Sequence, residues 1–340
     1  MKGEKVELRE MWAVVQESAG GKLVLQELPI PKPKRGQVLV KMDYAAINPS
    51  DLSMLQGTYA HKPEYPVIPG IEGSGTVVAS GGGMLAAMRM GKRVSCTSTE
   101  GCGGTWAEYM LSSAMHVVPV NKSIDAKQAA STIVNPLTAI AFMDITKKSK
   151  EHALLNNAAA GALGKMLVAL GQRENIEVVS VVRNQQQLEN LKAFGAKYVL
   201  NSSEEDYCEQ LKAVADTLKL HLYFDALGGR STDDFVRCSP EDSRIYMYAN
   251  LSEEKSSFDP RILLQQRKEI RGFFLGNYSA NQSLIKTLGS IKKVHRLISN
   301  ELKTDFCEEY GLADAEVAVK SYSNNMSKGK ILLNCRKEKY

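Results

Sequence analysis

Hydrophobic and polar positions along the chain follow two regimes that change near Ile124. Before it, short runs alternate apolar and polar residues: WAVV and KLVLQE between Met11 and Glu27, then QVLVKMDYAAI over 37–47. Such alternation predicts strands with one buried face, and Gly20 and Gly21 between the first two predict a hairpin. Prolines at 29, 31 and 33 predict an extended connector. Further strands are predicted at Ile71 to Val78, Arg93 to Cys96, Trp106 to Leu111 and His116 to Val120, separated by glycine- and proline-rich loops. Short strands at this spacing predict a compact β-barrel.

After Ile124 the period becomes helical, from Ala126 to Ile145, and strands then alternate with helices. The strands are predicted at 153–157, 177–182, 197–200, 221–225, 244–248 and 270–275. Six strands in βα alternation predict a doubly wound parallel sheet, so the fold class is α/β with a β-barrel in front. A basic amphipathic helix is predicted over 281–303, and a last strand at Lys330 to Asn334. The domain reading is a barrel over 1–125 completed by 276–340, and a doubly wound domain over 126–275.

The first strand of the second regime runs into a turn of small residues, NNAAAGALG, and a helix-like segment from Leu163 to Gly171. Ala158, Gly161 and Gly164 lie three apart. Small residues there let a turn tighten, let the backbone approach a pyrophosphate, and leave a helix N-terminus free to receive it. The same turn also serves plain helix-on-strand packing, and a strict GxGxxG pattern needs Gly where Ala159 stands. The next strand ends Val181, Val182, Arg183, Asn184. A site for NAD usually has an acid at this strand end, whereas a 2′-phosphate site lacks it and supplies Arg. Arg183 with no acid beside it therefore predicts NADPH.

Composition narrows the classes without choosing a chemistry. The 340 residues carry 43 Lys and Arg against 38 Asp and Glu, a mild net charge of +5. The densest basic runs, Lys147 to Lys150, Lys292 to Arg296 and Arg336 to Lys339, read as solvated faces and a terminus, so no nucleic-acid partner is expected. No apolar run approaches about 18 residues, so no membrane span is expected. The first ten residues mix Lys2, Lys5 and Arg9 with Glu4, Glu7 and Glu10, which predicts neither a signal nor a transit peptide. Six cysteines without CxxC spacing read as reduced thiols of an intracellular, cytoplasmic protein, with no structural zinc.

The motifs together resemble the medium-chain dehydrogenase/reductase superfamily over essentially the whole chain. They are NPSD at 48–51, PGIEGSGTVV at 69–78, GKRV at 91–94, GTWAEY at 104–109, NPLTA at 135–139, AAAGALG at 158–164, FDALGG at 224–229 and GKILL at 329–333. The resemblance implies a GroES-like β-barrel catalytic domain and a Rossmann cofactor domain. Zinc-dependent members hold their ion with a Cys in the segment now occupied by Asn48 to Asp51 and a His in a GHE motif. Here the latter reads Gly70, Ile71, Glu72. No metal is therefore expected, and the resemblance narrows to the zinc-independent quinone oxidoreductases and 2-enoyl thioester reductases.

For that branch the resemblance implies Tyr59 as proton donor to an enolate, with Asn48 as a second catalytic residue and Thr138 beside the nicotinamide. Ala158, Gly161, Ala162, Leu163, Gly164, Arg183, Asp225 and Lys330 complete the implied cofactor set. The implied function is NADPH-dependent, zinc-free hydride delivery to a conjugated carbonyl, a quinone or an α,β-unsaturated compound. A mitochondrial-type 2-enoyl-CoA or acyl-carrier-protein reductase is the narrower alternative, with the mitochondrial matrix as its compartment. Ala162 stands where the branch usually has a second Gly, so a catalytically silent subunit of a larger assembly is the other alternative. A homodimer, or membership of such an assembly, is the expected state.

Overall fold

The computed structural model describes residues 10–59, 63–99 and 101–336. The mixed-charge stretch over 1–9 and positions 337–339 of the last basic run lie outside them. The chain divides into two units, 1–133 with 304–340, and 134–303.

In the first unit the strands are β1 (Glu10–Gln16), β2 (Leu23–Pro29) and β3 (Gln37–Ala46), followed by helix α1 (Pro49–Leu55) and β4 (Glu72–Ser80). Next come α2 (Met84–Arg89), β5 (Arg93–Thr97), β6 (Tyr109–Ser113), β7 (Val117–Pro119) and α3 (Ala126–Ala129). β1 and β2 form the expected hairpin, with Met11 opposite Leu28 and Gln16 opposite Leu23. β3 is the longest strand and the centre of the barrel sheet, pairing antiparallel with β4 and β6. Its alternation works as predicted: Val38, Val40 and Met42 point into a core with Val94, Trp106 and Met110. The hairpin joins this barrel through the bridges Ala13 to Ala107 and Gln16 to Val67.

The second unit holds α4 (Val134–Lys148), β8 (Ala153–Asn156), α5 (Ala162–Glu174), β9 (Glu177–Val182), α6 (Gln185–Ala193) and β10 (Tyr198–Asn201). It continues with α7 (Tyr207–Leu218), β11 (Leu222–Asp225), α8 (Gly229–Cys238), β12 (Arg244–Met247), α9 (Pro260–Gln266), β13 (Glu269–Gly272), α10 (Leu275–Ala280) and α11 (Leu284–Leu297). All six strands are parallel, in the order β10-β9-β8-β11-β12-β13. Counted from the first strand this is 3-2-1-4-5-6, the Rossmann order. β8 and β11 lie at the middle and are buried at every residue, which is why they read as unbroken apolar runs. Phe142 of α4 stacks on Phe224 of β11 with ring centroids 3.9 Å apart.

The chain then returns to the first unit as β14 (Phe306–Gly311), α12 (Ala315–Asn324) and β15 (Lys330–Asn334). β15 pairs antiparallel with β3 and parallel with β14.

Four expectations are revised. The division falls at 133/134 and 303/304 rather than 125/126 and 275/276, because α10 and α11 pack on α4. The helix expected over 126–145 is broken, since Thr132 Oγ1 donates to Ser95 Oγ at 2.7 Å and the Ile133 N–H to Glu72 Oε2 at 3.2 Å. The helix expected over 281–303 is confined to α11. The cysteines are not all free thiols: α7 and α8 pack together and bring Cys208 and Cys238 into a disulfide with Cα atoms 5.8 Å apart.

Candidate active site

In the first unit the sequence NPSD builds a helix start. Asn48 is extended at φ −118° and ψ 160°, Pro49 pre-sets the first helical φ, and Asp51 reaches back to accept the Asn48 N–H at 2.7 Å. The other Asp51 oxygen accepts the Ile71 N–H at 2.8 Å, tying α1 to the entry of β4. The Asn48 amide lies between two charges. Its Oδ1 accepts from the Lys330 ammonium, and its Nδ2 donates to Glu72 Oε1 at 3.1 Å. Lys330 and Glu72 form an ion pair at 3.6 Å, each side chain 1% exposed. The amide therefore has one orientation, since a flip would turn its NH₂ toward the ammonium.

Burial pushes the Asp51 carboxyl up to about 7, against the lowering effect of its backbone hydrogen bond from Asn48 and of Lys330. Burial pushes the Lys330 ammonium down, while Glu72 and Asp51 hold it up.

Tyr59 follows α1 through Gly57, whose φ of +70° turns the chain at no steric cost. The N–H groups of Thr58 and Tyr59 both donate to Ser53 O, at 2.9 and 3.1 Å, so the Tyr59 backbone is fastened to the helix that Asp51 anchors. The Tyr59 phenol is half-buried and pushed up to about 12, by burial first and by the Asp51 charge second. It keeps its proton across the neutral range.

In the second unit the small-residue turn leads from β8 into α5. Ala158 adopts φ +49°, a conformation that favours glycine. Gly164 lies so close to the turn that a Cβ would fall 2.1 Å from Ala159 O, whereas at Gly161 the nearest atom to a Cβ would be Ala158 O at an ordinary 3.5 Å. Helix α5 is 13 residues long, and its N-cap Gly161 supplies no capping side chain. The first-turn N–H groups of Ala162, Leu163 and Gly164 thus carry the positive end of a long helix with nothing from the cap to neutralise it.

Arg183 follows the end of β9 and is exposed to solvent, and Asn184 behind it caps α6 by accepting the Gln187 N–H at 2.9 Å. Thr138 is buried on α4 with its hydroxyl donating to Val134 O at 2.7 Å.

Three residues expected at substrate or cofactor have their polar atoms engaged inside the protein. Asn48 and Lys330 are fully buried in the cluster just described. Asp225 is fully buried in the second unit. Its oxygens accept from Asn157 Nδ2 at 2.6 Å, the Leu227 and Gly228 N–H groups at 2.9 and 3.1 Å, and Thr232 Oγ1 at 2.6 Å. Asp225 thereby shapes the turn after β11.

Asn157, Asp51 and Glu72 were not among the expected site residues. Asn157 is the partner of Asp225, and it also accepts the Ala226 N–H at 2.7 Å. Asp51 carried a readable signal, an acidic residue three positions after an Asn N-cap.

The barrel segment 34–122 matches the model of the alcohol dehydrogenase GroES-like domain, and 162–290 matches that of the zinc-binding dehydrogenases. A Caenorhabditis elegans protein named mitochondrial enoyl-[acyl-carrier-protein] reductase is 30% identical over 252 residues, covering 73% of this chain and 71% of its own. The chain belongs to the medium-chain dehydrogenase/reductase superfamily, in its quinone and enoyl reductase branch. The mouse mitochondrial enoyl-[acyl-carrier-protein] reductase is 28% identical over 285 residues, 80% of this chain and 75% of its own. Among solved structures, a protein from Mesorhizobium loti described as a putative NADPH:quinone reductase superposes with a TM-score of 0.88 at 28% identity, over 96% of this chain and 98% of its own.

Like other members of the superfamily, this one is an oxidoreductase by its relatives. Its described residues contain no group of three or more His, Cys, Asp or Glu side chains that could hold a metal ion. No helix among the described residues is long and apolar enough to cross a membrane.

Proposed function

We propose that the protein is an NADPH-dependent, zinc-free reductase of conjugated carbonyl compounds. The observation that carries this reading is the cofactor half: a 13-residue helix without a capping side chain, entered through a turn where Gly164 packs directly on Ala159 O. These residues suit a dinucleotide. The N–H groups of Ala162, Leu163 and Gly164 would take the pyrophosphate, and Arg183 the 2′-phosphate. Bound NADPH supplies the hydride.

What this chain's own residues add is orientation and a proton. Hydride arriving at the β-carbon of an enone or enoyl thioester leaves charge on the substrate oxygen. The Tyr59 phenol, protonated throughout the neutral range, can donate a hydrogen bond to that oxygen or a proton to the α-carbon. The names of the mouse and C. elegans relatives favour an enoyl thioester as acceptor, and that of the M. loti structure favours a quinone. A panel of NADPH oxidation assays with quinones, enones and enoyl thioesters tests the reading. Turnover of any class supports it. Absence of turnover together with absence of NADPH binding would leave the silent-subunit alternative.

Two expected outcomes follow from individual residues. Arg183→Ala should narrow the preference for NADPH over NADH by about 10- to 100-fold, the worth of a hydrogen bond to a charged group, with NADH affinity unchanged. Equal affinity of the parent protein for both coenzymes contradicts the assignment. Activity should also survive exhaustive chelation, and elemental analysis should find no stoichiometric zinc. Loss on chelation with recovery on adding zinc overturns the metal-free reading.

A further inference from the structure

Three connections between strands of the barrel unit meet through backbone hydrogen bonds. The Gly36 N–H donates to Gly82 O at 2.9 Å, the Gly81 N–H to Gln37 O at 3.0 Å, and the Ala114 N–H to Gly36 O at 2.9 Å. The approach is close, since a Cβ at Gly81 would fall 2.0 Å from Lys34 O. Helix α2 lies on the middle connection. Its Ala86 is buried in the core cluster that holds Val38 and Val94, which fixes the helix by one face. Met84 and Met88, one turn apart with Ala86 midway between them, therefore point the opposite way. They are 83% and 63% exposed, and Met115 on the third connection is 73% exposed.

The same connections are basic. Lys34, Arg35 and Lys92 stand exposed on them, and none forms an ion pair among the described residues. The segments 28–42, 73–99 and 109–124, which build this face, contain no Asp or Glu. Apolar side chains exposed to this degree project from turns instead of lining a groove. They suit a soft surface they can enter better than a peptide helix, which needs a groove to lie in. Methionine is flexible and apolar, and Lys or Arg beside it matches anionic headgroups.

We propose that this face docks the protein reversibly on an anionic lipid surface. Met84, Met88 and Met115 enter the headgroup boundary, and Lys34, Arg35 and Lys92 pair with the lipid anions. The docking is peripheral, and it goes beyond the reductase reading without depending on it.

The test is co-sedimentation of the full chain with vesicles of phosphatidylcholine alone, and of equal parts phosphatidylcholine and phosphatidylserine. Binding is expected to the mixed vesicles, weakening as salt rises. Lys34→Gln with Arg35→Gln should lower it about 25-fold, roughly fivefold for each charge near the surface. Met84→Asp with Met88→Asp should lower it about tenfold or more by removing the inserted apolar area. All four side chains are exposed, so thermal unfolding of both variants should match the parent. Lys192→Gln with Lys212→Gln removes the same charge from exposed helix positions of the other unit, and should bind like the parent. Peroxide oxidation of Met84, Met88 and Met115, followed by mass spectrometry, should be slowed by the mixed vesicles only. Binding to neither vesicle or equally to both, binding unmoved by the methionine pair, or an equal loss in the Lys192 and Lys212 variant overturns the proposal. So does protection of these methionines by a synthetic acidic amphipathic peptide without vesicle binding, which would assign the face to a protein partner.

Discussion

Replacing Tyr59 by Phe is expected to slow reduction of an enoyl thioester by about 10²- to 10⁴-fold, the range for a positioned acid or base, with NADPH affinity unchanged. The substitution removes only the hydroxyl. The Tyr59 backbone remains fastened to Ser53 O, so the expected loss is that of an interaction made by the hydroxyl in the transition state. A quinone makes a different demand, because water can protonate its reduced oxygens. The same variant should cost far less with a quinone, and the ratio of the two losses discriminates between the enoyl and quinone readings. Steady-state rates with both acceptors and an NADPH titration check this. Parental rates with both would reduce Tyr59 to a turn residue.

Gly164→Ala should have the next largest effect. The added methyl would lie 2.1 Å from Ala159 O and 2.5 Å from Ala159 Cα, which are backbone atoms without the freedom of a side chain. Ala159 is itself pinned, its N–H donating to Val181 O of β9 at 3.1 Å. The start of α5 must therefore move away from the turn. Overpacking of this kind costs about 1–3 kcal/mol in stability. Displacing the helix N-terminus should weaken NADPH binding by about tenfold or more, since each 1.4 kcal/mol is a factor of ten. Gly161→Ala is the control. Gly161 has φ −79° and only an ordinary contact at its Cβ position, 3.5 Å from Ala158 O, so its stability should change little. Thermal unfolding of both variants and NADPH titration of Gly164→Ala check this, and equal stability of the two variants would show that Gly164 makes no close approach to the turn.

What could be read before the structure divides along physical lines. The central parallel strands β8 and β11 were legible because a strand covered on both faces reads as an apolar run, and both are buried at every position. The hairpin and β3 were legible because one-sided burial enforces alternation. β14 was not, since its sequence FCEEYG is half-exposed and its partner β15 arrives only after α12. The break between α3 and α4 depends on Ser95 and Glu72, residues far off in the chain, which local periodicity cannot sense.

The site divides in the same way. The turn at 158–164 and Arg183 carry their signals in neighbouring residues, and the fold sets them beyond the ends of adjacent strands β8 and β9. The buried cluster does not: Lys330 lies 282 residues from Asn48, and only the pairing of β15 with β3 brings them together. For Asp225 the resemblance implies a place in the cofactor set. Its role in holding the turn after β11 emerges only when Asn157 and Thr232 close around it.

The central claim is that this chain uses NADPH to reduce a conjugated acceptor. Its most direct test is the consumption of NADPH by the purified protein with a short 2-enoyl thioester, with product analysis. The account predicts one NADPH oxidised for each saturated thioester formed, and near-complete loss of this reaction in Tyr59→Phe. Unchanged NADPH with the enoyl thioester, and equally with quinones and enones, would contradict it.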